Sequence, residues 1–166
     1  MSTTRPAPDE TLVHLLISRM TEHDLLEVVE IEEQSGLSRW GWNAYYAELQ
    51  GPNHRFMLVA KPRREHGPGS VPVVGYIVAR LVAGEIHINN VAVRDKFRRH
   101  GIGSALVSQI LEEAKRKEAT VAFLEVRAGN LAAQTLYHKC GFRPVAQRQN
   151  YYSAPLEDAL VMTLTF

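Results

Sequence analysis

One cysteine, Cys140, occurs among 166 residues. An internal disulfide is therefore excluded, and a reducing, cytoplasmic setting is the expectation. Cys140 itself reads as a small buried residue at a helix end. No apolar run approaches the ~20 residues that span a bilayer. Residues 1–11 are polar and lack the apolar core of a signal peptide. An excess of one charge is also missing: 19 Lys and Arg face 18 Asp and Glu, for a net charge of +1. That balance gives no global bias toward nucleic acid or a membrane surface. The seven histidines show neither metal-ligand spacing nor a His-Glu-x-x-His pattern, so no metal is assigned. No repeat, low-complexity tract or domain boundary interrupts the chain. With an ordinary 45% hydrophobic content, it divides into a loose tail at 1–11 and one domain at 12–166.

What is present is most concentrated between Val91 and Leu106. The stretch reads as a strand, a short basic loop, two glycines and the start of a helix. Gly101 and Gly103 allow close backbone approach, because no Cβ intervenes. The first helical turn, at Ile102, Gly103 and Ser104, has N–H groups without intrahelical acceptors. Those donors and the positive end of the helix dipole suit a phosphate, with Arg98, Arg99 and His100 beside them. The pattern lacks the third glycine of a dinucleotide fingerprint and the Gly-Lys-Ser/Thr of a nucleotide loop. By themselves these residues leave a phosphate-binding loop and an ordinary tight turn both open.

The remaining elements follow from periodicity. Leu12–Arg19 reads as a strand. Thr21 caps a helix from Glu22 to about Gln34, with Leu25, Val28, Val29 and Glu32 at helical spacing and Leu26 and Ile31 widening the stripe. Trp42–Leu49 reads as a short helix, Arg55–Lys61 and Val73–Val82 as strands, and Pro62–Pro72 as a polar loop. In Glu85–Val93, Ile86 and Ile88 alternate, but Val91 and Val93 fall one residue out of phase. A β-bulge near Asn89-Asn90 restores the facing, and the bend opens a slot beside the strand. After the glycines, Ile102, Leu106, Ile110 and Ala114 make one stripe, thickened by Val107 and Leu111. Glu112 with Arg116 and Glu113 with Lys117 are spaced as i,i+4 pairs. Val121–Val126 is a strand. Asn130 caps a helix that ends at Gly141. Two strands, about Phe142–Tyr152 and Ala159–Phe166, close the chain around a turn at Ser153–Asp158. Strands alternating with helices give an α/β layered fold.

Four ordered motifs carry a resemblance. Arg98-Arg99-His100-Gly101-Ile102-Gly103 resembles the (Gln/Arg)-x-x-Gly-x-(Gly/Ala) signature of the GNAT superfamily of N-acetyltransferases. Leu124-Glu125-Val126-Arg127-Ala128-Gly129-Asn130, then Leu136-Tyr137-His138-Lys139-Cys140-Gly141-Phe142, then Asn150-Tyr151-Tyr152 with Glu157-Asp158-Ala159, resemble segments of its RimI-type branch, which acetylates the N-termini of ribosomal proteins. The similarity runs from about residue 12 to 166. Two departures stand where an acceptor or partner would be read: Ser38-Arg39-Trp40 replaces a Phe-Pro-Trp, and Lys61–Pro72 is longer and more basic.

The resemblance implies a mixed, mostly antiparallel sheet flanked by helices, with a splayed parallel strand pair at the bulge. It implies acetyl-CoA as acyl donor, with CoA as product. Val91, Ala92 and Val93 would line the pantetheine slot, and Arg98, Arg99, His100, Gly101, Ile102, Gly103 and Ser104 would cradle the pyrophosphate. Asn130, a helix cap by composition, would also touch the cofactor. Backbone groups of Val91 and Val93 are suited to the developing oxyanion. Glu125, on a strand beside the slot, suits a proton acceptor or an ion pair with Arg127; the resemblance makes it the base. Tyr137 lies at core spacing with Ala133, Leu136 and Cys140, yet a phenol with a pKa near ~10 can also protonate a thiolate; the resemblance makes it the acid. Trp40, Trp42, Tyr45, Tyr151 and Tyr152 read as walls of a peptide groove or as packing. The implied activity is transfer of acetyl to the N-terminal amine of a protein or peptide, a ribosomal protein by resemblance. A lysine or small-amine acetyltransferase, and an acyl-CoA-binding module without turnover, are the alternatives. A monomer or weak dimer without membrane or nucleic-acid binding is expected.

Overall fold

The computed structural model describes residues 15–53, 55–63 and 71–166. The expected tail at 1–11, the strand start at Leu12 and most of the Pro62–Pro72 loop lie outside them. The strands are β1 (Leu15–Arg19), β2 (Arg55–Pro62), β3 (Gly75–Val82), β4 (Glu85–Val93), β5 (Val121–Arg127), β6 (Arg143–Ser153) and β7 (Leu156–Thr165). They form one sheet in the order β1-β2-β3-β4-β5-β7-β6. Among the described residues only β4 and β5 run parallel; the other neighbours are antiparallel. Helices α1 (Leu25–Gln34) and α2 (Gly41–Leu49) cover one face, and α3 (Ile102–Arg116) and α4 (Leu131–Lys139) the other. Among the described residues no helix is long and apolar enough to cross a membrane.

The bulge lies where the phase of the sequence places it. Val78 pairs with Asn90 and Ala79 with Ile88, so Asn89 is the extra residue. Ile86 and Ile88 before it, and Val91 and Val93 after it, consequently pack toward α3. Ala92 faces the α1 side. Without the extra residue both valines would turn to the wrong face.

Helix α3 buries its whole predicted stripe, with Leu106, Val107 and Ile110 at 0% exposure. Each such side chain stabilises by about 1.5–3 kcal/mol. The expected charge pairs do not form. Glu112 reaches Lys115 at 3.2 Å and Glu113 reaches Arg19 at 3.8 Å. Exposed pairs contribute about 0–1 kcal/mol, so the apolar stripe decides where α3 sits. Two further expectations need correction. The first turn after Thr21 is 3-10, at Glu22–Asp24, and the Asp24 carboxylate accepts the Thr21 N–H at 2.8 Å. Leu26 is 76% exposed rather than part of the α1 stripe; Leu25, Val28 and Ile31 already fill the face that meets the sheet. The β6–β7 connection is also tighter than expected, because Ser153 pairs with Leu156.

Gly75 is where β3 passes beneath the start of α3. An added Cβ would stand 3.0 Å from the Ala92 carbonyl oxygen and 3.2 Å from Ile102 Cγ2. Backbone cannot yield as a side chain does, so Gly75→Ala is expected to destabilise the fold by about 1–3 kcal/mol. Chemical denaturation of the two proteins measures this directly.

Candidate active site

The β4–β5 ladder ends at Ile88 and Leu124, although the strands continue to Val93 and Arg127. Past that point the bulge turns β4 away, and its β5-facing main-chain groups have no strand partner among the described residues. A cleft of about 240 Å³ occupies the gap. Trp40 and the α1–α2 connection wall one side, Tyr151 and Tyr152 another, and Tyr137 of α4 reaches it from the opposite face of the sheet. His87, Asn90, Val91, Glu125 and Asn130 also line it.

The basic loop lies just beyond Val93. Arg99 and Gly101 both adopt left-handed backbone, at φ 64° and 78°. This reversal sets the first-turn amides of Ile102 and Gly103 at the mouth of α3, where they lack intrahelical acceptors. A Cβ added at Gly101 would meet nothing within 4 Å, so the space over the loop is open. At Gly103 it would stand 2.7 Å from Leu136 Cδ1, which shows how closely α3 and α4 approach. Arg98 is held by the Val93 carbonyl at 3.1 Å and by Asp95 at 2.9 Å. His100 stands exposed on the same loop. Open amides, a helix N-terminus and basic side chains are a donor set that fits a pyrophosphate. The unpaired edge of β4 along Val91, Ala92 and Val93 fits an amide-bearing pantetheine arm. The residues present therefore fit the pyrophosphate and pantetheine arm of acetyl-CoA.

Glu125 does not pair with Arg127, as composition alone allows. Arg127 binds Glu157 at 3.4 Å and lies over the Tyr152 ring at 4.2 Å. Glu125 instead takes His87 Nε2 at 2.6 Å, with Arg148 at 3.5 Å. The His87 hydrogen bond, opposed by burial and aided by the charges of His87 and Arg148, holds the Glu125 carboxyl below its ordinary value. The carboxylate side chain is 9% exposed and the imidazole 31%. His87 thus offers the cleft the more accessible face of the pair, stacked on Phe123 at 4.4 Å.

Tyr137 is buried and packs edge-on against Phe142 at 6.0 Å. Burial, with Tyr152 and Cys140 nearby, pushes its phenol above the ordinary range. Its hydroxyl has no hydrogen-bond partner among the described residues, unlike a core tyrosine anchored at both ends. Tyr152, pushed up to about 12 chiefly by burial, is likewise protonated at neutral pH. Cys140 is half-buried at the end of α4, and burial pushes its thiol up against a hydrogen bond with Ser104. Asn130 caps α4 by accepting the Ala133 N–H at 3.1 Å. Trp42 is not in the cleft wall; it stacks on Tyr46 at 4.9 Å on the outer side of α2. Among the described residues no three His, Cys, Asp or Glu side chains cluster as a metal site.

Three participants escape a reading of the sequence. His87 and Arg148 reach Glu125 only through the register of β4, β5 and β7–β6. Glu32, 1% exposed, gathers the start of α2: it accepts Trp40 N–H at 2.7 Å, Gly41 N–H at 3.2 Å and the Tyr45 hydroxyl at 2.8 Å. Its one sequence signal is a carboxylate in the buried stripe of α1.

A profile of the acetyltransferase (GNAT) family matches residues 17–142. A Bacillus subtilis (strain 168) protein named for ribosomal protein bS18-alanine N-acetyltransferase activity is 33% identical over 150 residues, covering 90% of this chain and 94% of its own. The crystal structure of the ribosomal-protein-S18-alanine N-acetyltransferase from Escherichia coli superposes with a TM-score of 0.77 at 25% identity, covering 92% of this chain and 94% of that one. Arabidopsis thaliana NAA60 in complex with acetyl-CoA shares the fold with a TM-score of 0.83 at 17% identity, over 92% of this chain and 99% of that one.

Proposed function

The chain belongs to the acetyltransferase (GNAT) family and is an N-acetyltransferase that uses acetyl-CoA, and from that premise we propose that its acceptor is the N-terminal α-amine of a protein, a ribosomal protein such as bS18 in particular. The observation that carries this reading is the placement of a carboxylate–imidazole pair and a buried phenol around one cleft. The likeness to the Bacillus subtilis relative over nearly both chains supports the ribosomal acceptor.

Acetyl-CoA supplies the acetyl group as a thioester. The phosphate-facing amides of Ile102 and Gly103, with Arg98, Arg99 and His100, hold its pyrophosphate. The Val91 and Val93 main chain aligns the arm, and its N–H groups face the carbonyl oxygen as charge develops there. Glu125 and His87 accept a proton from the acceptor's ammonium, whose ordinary pKa near ~8 makes modest base strength sufficient. The freed amine attacks the carbonyl carbon directly; the C–N bond forms as the C–S bond breaks. Tyr137 gives its proton to the sulfur and is reprotonated by the second proton leaving the amine nitrogen. One proton is released to water in the net reaction, and no acyl-enzyme forms. Trp40, Tyr151 and Tyr152 flank the path of the acceptor's first residues.

The test is turnover with peptides that share a body but differ in their first residue, run beside the N-terminal peptide of bS18. Preference for the bS18 peptide by kcat/KM supports the ribosomal acceptor. Equal or better turnover of unrelated N-termini would remove that acceptor while leaving the α-amine chemistry intact.

A further inference from the structure

Behind the cleft lies a buried hydrogen-bond chain that the transfer mechanism leaves unused. The Tyr45 hydroxyl, on a ring with 0% exposure, lies 2.8 Å from Glu32 Oε1, 2.9 Å from Asn90 Nδ2 and 2.9 Å from the Tyr76 hydroxyl. A hydroxyl has one proton and two lone pairs. Glu32 already accepts two backbone N–H groups and no cation pairs with it among the described residues. Tyr45 therefore donates to Glu32 and accepts from both Asn90 and Tyr76, which uses its full capacity. Burial chiefly raises both phenols, so each stays protonated.

The two ends of this chain tie to two different parts of the cleft lining. Glu32 holds the amides of Trp40 and Gly41, where the α1–α2 connection enters α2. Asn90 follows Asn89, the extra residue of the β4 bulge, and precedes Val91. Trp40, Asn90 and Val91 all line the cleft. Tyr76, on β3, pairs with Ala92 of β4 and does not itself line the cleft.

We propose that Tyr45 is a positioning residue that fixes the acceptor wall of the cleft to the acyl-donor wall, setting the distance across which the amine meets the thioester. It touches neither substrate and acts through Glu32 and Asn90. This rests on the acetyl-transfer reading of the cleft. Attack geometry is sensitive to displacements of about 1 Å, which cost roughly 10²-fold in rate. A slack wall therefore lowers turnover with bound substrates while leaving the phosphate loop intact.

Tyr45→Phe keeps the ring, which packs against Trp40 and Tyr76, and removes only the link. Asn90→Ala cuts the link at its other end. Tyr76→Phe deletes an equally buried hydroxyl that donates to Tyr45 but leaves the Tyr45–Glu32 and Asn90–Tyr45 hydrogen bonds in place. The expected result is a loss of about tenfold or more in kcat for Tyr45→Phe and for Asn90→Ala, no further loss in the double variant, and less than about threefold for Tyr76→Phe. Acetyl-CoA Kd stays within about twofold throughout. Amide hydrogen exchange quickens at both 40–41 and 89–91 in Tyr45→Phe, a readout that needs no turnover. Equal losses for Tyr45→Phe and Tyr76→Phe, additive losses in the double variant, or unchanged exchange at either wall would overturn the proposal. Wild-type protein that acetylates no N-terminus would instead defeat the functional reading, while the exchange result still decides the link.

Discussion

Tyr137→Phe is expected to lower kcat by ~10²–10⁴, the usual range for loss of a proton-transfer group, with acetyl-CoA affinity and thermal stability nearly unchanged. The asymmetry follows from the surroundings of the hydroxyl. The ring is packed against Phe142 and remains so in the variant. The hydroxyl has no internal partner among the described residues, so its removal leaves no orphaned buried group. Burial keeps the phenol protonated, ready to donate and unable to act as an anion at neutral pH. Steady-state turnover, acetyl-CoA titration and a melting curve on the same two samples separate the effects. A kcat loss below about tenfold would remove Tyr137 as the proton donor. A large fall in melting temperature would make it a packing residue.

The second large effect is expected at the carboxylate–imidazole pair. Glu125→Gln preserves shape but loses the charge that orients His87. A fall of roughly 10²-fold or more in kcat/KM is expected on the same general acid–base grounds. His87→Ala should cost a similar factor, and the double variant little more, because the two act as one unit. Additive losses would argue for separate roles. The pair also has a stability signature. The folded Glu125 carboxyl is held below its ordinary value, so the unfolded chain takes up its proton first as pH falls. Its contribution is complete above about pH 4.3, the unperturbed Glu value, and disappears as pH drops through the lowered folded value. Denaturation of wild type and Glu125→Gln at pH 7 and pH 3 checks the sign: the wild-type advantage should be full at the first and smaller at the second.

Much of this arrangement is legible in the sequence because it is local. The stripe of α3 and the two-glycine turn lie within single segments. The bulge at Asn89 is written in the phase slip between Ile88 and Val91, since a strand can keep one apolar face only by adding a residue. The cap at Asn130 is a one-turn event. The rest depends on register between segments distant in sequence. His87 meets Glu125, 38 residues later, because the parallel ladder sets His87 beside Phe123. Arg148 arrives across two further strands. Composition offers Arg127 as the partner of Glu125, but Glu157 at the start of β7 claims it, together with the Tyr152 ring. Leu26 misleads for a different reason: an apolar residue in a surface helix carries no label saying which side of the stripe is already filled. Glu32 is visible in that stripe as an oddity, and its purpose emerges only when α2 begins beneath it.

The most direct test of the account is the position of the acetyl group after reaction with two matched peptides. One has a free N-terminus and no lysine; the other has a blocked N-terminus and one lysine. CoA release and tandem mass spectrometry follow the same reaction, with Tyr137→Phe alongside wild type. The account predicts acetyl on the α-nitrogen of the first peptide, little on the second, and loss of both signals in the variant. Efficient acetylation of the lysine side chain, with the free N-terminus left unmodified, would contradict it.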